Sequence, residues 1–159
     1  LLPNRTGGSI MQKNLEILGD IQYTQDEIDF ALDMQKANGK PLIGIDGKIR
    51  PLRETLESPG GGSTDVGDVS YNVPVVSLAA TTAPKGVPWH SWSVVASSGM
   101  SIGHKGMLHA AKALGMSMID IYKDKKLREE IKKEFDERIG DYNYDPYLNP
   151  GPPLIDYVD

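Results

Sequence analysis

Histidine is the rarest of the side chains in this sequence suited to metal or proton chemistry, and its three copies lie within twenty residues of one another. They are His90, in Pro88 to Trp92 (PWHSW), and His104 and His109, in and just after Ser101 to Met107 (SIGHKGM). Upstream lies a Gly/Asp loop, Gly60 to Ser70 (GGGSTDVGDVS). A neutral imidazole is a metal ligand or a proton carrier, and a nearby carboxylate can orient it through its second nitrogen. His90 is therefore the candidate metal ligand, with a surface or packing role as the ordinary alternative. His104 and His109 are five residues apart, about 140° around a helix, and cannot share one ion as an i, i+4 pair would.

Asp65, with Ser63 and Thr64, could shape a site or hold a substrate amide, and these residues could equally form a simple turn beside Asp68. Ser101 opens a helix whose amino end suits an anion, so His104 and Lys105 are candidates to meet a substrate carboxylate. The alternative is that Ser101 only caps and His104 lies at the surface. No Gly-Lys-Ser/Thr follows the glycine loop, no dinucleotide fingerprint is present, and no Gly-x-Ser-x-Gly elbow occurs. The lack of cysteine removes thiolate ligands and disulfides.

The elements that must position these residues can be read from the pattern. Ser9 is a candidate N-cap for a first helix ending at Gly19. Thr24-Gln25-Asp26-Glu27 forms a capping box for a helix from about Gln25 to Asn38. Between Pro41 and Leu56, Asp46-Gly47 suits a hairpin turn. The β-branched run Val73 to Ala80 predicts a buried strand, and with it an α/β sheet. Thr81 to Gly99 reads as a long irregular segment carrying His90. The longest helix runs from Ser101 to about Tyr122 with a broad apolar face, followed by a charged helix from about Lys126 to Ile139. Residues 141–159 read as an extended tail.

The 159 residues, 39% hydrophobic, suffice for one domain plus an appendage, and the net charge of -5 carries no basic footprint for nucleic acid. The longest apolar runs fall far short of the roughly 20 residues needed to span a bilayer. Neither a membrane nor a nucleic acid is expected as a partner, and a cytoplasmic location is the default. The chain opens Leu1-Leu2-Pro3 without a methionine, which fits a processed product or a piece of a longer polypeptide.

Taken together, GSTDVGDVS (Gly62 to Ser70), the Val73-Pro74 start, Pro-x-His-Ser-Trp (Pro88 to Trp92) and SIGHKGM with Ala-Ala-Lys (Ser101 to Lys112) resemble a known family. They are similar to the C-terminal part of aminobenzoyl-glutamate utilization amidohydrolases, a branch of the zinc-dependent aminoacylase and carboxypeptidase metallopeptidases. The resemblance extends to about Tyr122. It implies the C-terminal portion of a phosphorylase/hydrolase-like three-layer α/β catalytic domain, its sheet covered by helices. Residues 1–40 would lead from a lid domain, and 41–140 would form the C-terminal half of the catalytic domain. The implied activity is hydrolysis of the amide bond of an N-acyl or p-aminobenzoyl amino acid, with two zinc or manganese ions in the complete enzyme.

On that resemblance His90 aligns with the last metal ligand, and the general base lies outside this chain. The expected partners are the remainder of the same polypeptide, a small N-acyl amino acid and a second copy in a homodimer. The 159 residues alone are expected to be inactive. The competing expectation is a stand-alone α/β binding or assembly module without catalysis.

Overall fold

Asn4 sets the first helix by using both ends of its side chain. Its Oδ1 accepts from the Gly7 amide at 2.9 Å, and its Nδ2 donates to the Ile131 carbonyl at 2.9 Å, so one buried amide caps a helix and ties it to a distant one. The computed structural model describes residues 1–53, 64–146 and 151, so most of the expected C-terminal tail lies outside the described residues. Its elements are α1 (Arg5–Leu18), α2 (Gln25–Ala37), α3 (Val66–Ser70), α4 (Trp92–Ser98), α5 (Ser101–Lys123) and α6 (Lys125–Ile139). Helix α1 is therefore capped by Asn4, five residues before the expected Ser9, and Gly19 ends it with φ of 75°. The capping box at Thr24 is present: Thr24 Oγ1 accepts from the Glu27 amide at 3.3 Å, and Glu27 Oε2 accepts from the Thr24 amide at 2.7 Å.

The core lies where α1, α5 and α6 meet. Met11, Ala113, Leu127, Ile131 and Phe135 are buried there, and α1 packs on both α5 and α6. The spacing by four along α6 places its three buried residues on one stripe, so that helix is part of the core and its charged residues face solvent. Glu134 fastens the same junction. Its carboxylate accepts from the Arg5 and Thr6 amides at 2.7 Å each, placing an anion on the free donors at the amino end of α1. Burial pushes this carboxyl up, but the two amides, the Thr6 hydroxyl and Arg138 outweigh it and hold the pKa at about 2.

The expected α/β sheet is overturned. The structure is 56% helix, with no strand among the described residues. Val73 to Ala80 opens on a bend and forms no regular structure, and Val73 is 49% exposed. A β-branched run reports a preference for extended backbone, whereas a strand exists only when a neighbour satisfies its amides and carbonyls. Asp46-Gly47 is likewise no hairpin: Asp46 Oδ1 accepts from the Lys48 amide at 3.0 Å in a local turn. The segment from Thr81 to Gly99 is less irregular than expected, because Trp92–Ser98 forms α4, which packs on α5.

One buried side chain organises the extended segments. Gln35, fully buried on α2, accepts from the Ile43 and Gly44 amides at 2.9 and 2.8 Å and donates to the Gly44 and Lys85 carbonyls at 2.8 Å each. All four hydrogen-bonding positions of its amide are thus used, as burial requires.

Candidate functional site

His90 stands on the turn that feeds α4. Its φ of 59° is in the left-handed region, where it is the one non-glycine residue among the described positions. Such a conformation disfavours a side chain, and the surrounding loop maintains it. The imidazole is exposed, as are Trp89 (71%) and Trp92 (57%) on either side, so the loop presents three rings to its surroundings. The Ser91 hydroxyl donates back to the Pro88 carbonyl and closes the turn.

Trp89 also lines a groove of about 780 Å³ bordered by residues 46–53, residues 75–87 and the first turns of α1. The groove has an apolar floor that includes Met11, Leu15 and Val76, with His109 at its edge. Arg5, Lys48, Arg50, Arg53 and Lys85 line it beside one carboxylate, Asp46. That carboxylate is held below its ordinary range by the Lys48 amide, then by Arg50 and Lys85, against an opposing effect of burial. Arg50 pairs with Asp46 and the Arg5 guanidinium donates to the Arg53 carbonyl, so Lys48, Arg53 and Lys85 are the cations that could meet a carboxylate-bearing ligand. The sequence did carry a signal for this basic lining: Lys48 and Arg50, two residues apart, fall on one side of an extended backbone.

The amino end of α5 is a different kind of place. Lys105 Nζ donates to Glu27 Oε2 at 2.6 Å and to the Gln22 carbonyl at 2.9 Å, and it lies 5.7 Å from the Tyr23 ring centroid. Glu27 is buried, which pushes its carboxyl up, but Lys105, Ser101 and the Thr24 amide overcome this and hold the pKa at about 2. Tyr23 goes the other way. Burial first, then the charges of Glu27 and Asp46, raise its pKa to about 12, against a smaller opposing effect of the Thr81 hydroxyl. Ser101 is the first residue of α5, not its side-chain cap, because Met100 occupies the N-cap. His104 is exposed one residue before Lys105.

The glycine loop is split. Ser63 and the preceding glycines lie outside the described residues, while Thr64 and Asp65 are exposed and Val66–Ser70 forms α3. Thr64 Oγ1 accepts from the Val66 amide at 3.3 Å, which is turn geometry. No hydrogen bond or ion pair among the described residues joins Asp65, His90 and His104 to one another, and no group of three His, Cys, Asp or Glu could hold a metal ion there. A catalytic zinc uses about three protein ligands. The described residues of this chain therefore do not fit a metal centre by themselves; His90 could give one imidazole.

Comparison with known proteins sets the chain beside part of a hydrolase. That relative is the B subunit of the p-aminobenzoyl-glutamate hydrolase of Escherichia coli (strain K12), 31% identical over 157 residues, covering 84% of this chain and 33% of the relative. The chain thus spans about a third of that protein's length. The match bears out the resemblance to aminobenzoyl-glutamate utilization proteins. No family model matches the chain, and no solved structure matches it. No helix among the described residues is long and apolar enough to cross a membrane.

Proposed function

We propose that this chain is the C-terminal part of a metal-dependent amidohydrolase that cleaves the amide bond of an N-acyl or p-aminobenzoyl amino acid, such as aminobenzoyl-glutamate. The observation that carries this reading is the 31% identity, over most of the chain, to a protein named as part of a hydrolase. In this reading His90 is one ligand of a divalent-metal centre whose other ligands and general base lie outside the described residues. The exposed, conformationally restrained imidazole beside Trp89 supports that role. The groove next to it, lined by Lys48, Arg53 and Lys85, fits the carboxylates of an acyl amino acid. The proposed partners are the remainder of the polypeptide, a companion subunit, as the relative's name suggests, and a second copy of this chain.

Hydrolysis and zinc binding test the reading. The 159 residues alone are expected to release no p-aminobenzoate and to bind zinc only weakly in calorimetry, because one histidine does not hold a catalytic ion. The complete polypeptide containing this chain is expected to hydrolyse p-aminobenzoyl-glutamate and to lose that activity with His90→Ala. Tight one-to-one zinc binding by the 159 residues, abolished by His90→Ala, would overturn the proposed incompleteness. Full activity of the His90→Ala polypeptide would remove His90 from the site.

A further inference from the structure

The loop that carries His90 has two feet, and both stand on the carboxyl end of α2. At its start, Gln35 Nε2 donates to the Lys85 carbonyl at 2.8 Å. At its end, in the first turn of α4, Ser93 Oγ accepts from Asn38 Nδ2 at 2.7 Å. Gln35 and Ser93 are both fully buried, so water does not compete for either bond. Gln35 lies in α2 and Asn38 is the residue that ends it; three positions apart, they share one face. Each foot is also secured a second time. The Lys85 amide donates to the Gly44 carbonyl at 3.2 Å, and the Ser93 carbonyl accepts from the Ser97 hydroxyl at 2.7 Å.

Between the feet the backbone passes through two left-handed residues, Gly86 (φ 77°) and His90 (φ 59°), on either side of the buried Val87. Glycine adopts that region freely and histidine does not. A residue with a side chain persists there where its surroundings over-determine it. The His90 imidazole is exposed, so the restraint reaches it through the backbone: from the Ser91 hydroxyl on the Pro88 carbonyl inside the loop, and from the two α2 amides at its ends.

We propose that Gln35 and Asn38 are positioning residues for His90, a clamp on α2 that fixes where the loop holds the imidazole. This rests on the role given to His90 in the proposed function and adds the groups that set the ring's place. Misplacing a reacting group by about 1 Å costs on the order of a hundredfold in rate, so a clamp that never touches substrate can still control hydrolysis.

The complete polypeptide containing this chain is the protein to test. Ser93→Ala and Asn38→Ala each open one foot with little change in volume. Both should raise amide hydrogen exchange in residues 86–92 while α1 and α6 stay protected. Each should lower kcat for p-aminobenzoyl-glutamate on the order of tenfold with KM held within about twofold, because the clamp orients the imidazole and does not bind substrate. The two changes together should cost no more than the worse of them, since both break the same bond. Gln35→Glu keeps the acceptor used by the Ile43 and Gly44 amides and removes the donor to Lys85, so it should open the other foot with the same pattern. If that variant does not fold by circular dichroism, the Ser93 and Asn38 variants still decide. Faster exchange in 86–92 with kcat unchanged, while His90→Ala abolishes hydrolysis, overturns the positioning role and leaves the proposed function standing. Unchanged exchange in 86–92 overturns the clamp itself. Full activity of His90→Ala overturns both, by removing His90 from the site.

Discussion

The two histidine segments, Pro88 to Trp92 and Ser101 to Met107, each carry one histidine and differ in structure. In the second, the backbone is fixed by close approach: a β-carbon on Gly103 would meet the Ser98 carbonyl oxygen, and one on Gly106 would meet that of Thr81. Its one cation near the helix start, Lys105, is held by Glu27 and by the Gln22 carbonyl. The first segment has none of this. His90 is exposed in a left-handed conformation, flanked by exposed tryptophans, and no side chain among the described residues satisfies it. The difference teaches which histidine segment is structural and which is free to act: a satisfied, partly buried ion pair holds an architecture, whereas an exposed, restrained imidazole has its nitrogens available.

The largest expected effect breaks the structural side of that comparison. Lys105→Met leaves the buried Glu27 carboxylate without its cation; because Lys105 is itself a third exposed, the loss falls at the low end for buried pairs, about 3 kcal/mol. Chemical denaturation should show this loss, and adding Glu27→Gln to the variant should recover part of it. Failure of the double variant to recover would mean that the loss comes from the other contacts of the ammonium, with the Gln22 carbonyl and the Tyr23 ring, and not from an unpaired Glu27 charge.

A somewhat smaller effect appears in acid. Glu27 and Glu134 both have pKa values lowered from 4.5 to about 2. A carboxyl depressed in the folded state binds fewer protons than in the unfolded chain, so its contribution is complete above 4.5 and is lost as pH falls toward 2. After allowance for solvent screening, stability should drop on the order of 2 kcal/mol across that window. In Lys105→Met the part of the Glu27 share that Lys105 supplies should disappear, leaving the part due to Ser101 and the Thr24 amide, so the gap between variant and native chain should narrow as the pH falls. A gap that stays constant with pH would sink the assignment of the low pKa to Lys105.

Much of the helical framework was legible because its signals are local. The capping box at Thr24, the stop at Gly19 and the course of α5 and α6 follow from residues within a turn or two of each boundary. What was not legible depends on distant partners. Asn4, not Ser9, caps α1, and its second bond goes to Ile131, 127 residues away. Val73 to Ala80 carries strand-like side chains, but a sheet depends on a hydrogen-bonding neighbour that no local pattern encodes. Lys105 was readable as a cation beside His104, yet its partner Glu27 lies 78 residues upstream and is itself part of a recognisable cap. His90 was identifiable as the isolated histidine next to two tryptophans, while its left-handed backbone could not be foreseen from PWHSW.

The smallest expected effect sharpens the other side. Replacing His90 by glycine removes the side chain and also the steric penalty of φ at 59°, so His90→Gly should be neutral or stabilise the chain by about 0.5 kcal/mol, the relief being partly offset by glycine's greater unfolded-state entropy. His90→Ala keeps the penalty and should fall slightly below the glycine variant in thermal denaturation. A residue whose removal leaves the fold intact, while the complete polypeptide loses hydrolysis, is retained for chemistry and not for packing. If His90→Gly instead destabilised the chain by about 1 kcal/mol or more, the imidazole would be holding the turn before α4, and the contrast between the two histidine segments would collapse into two versions of the same structural role.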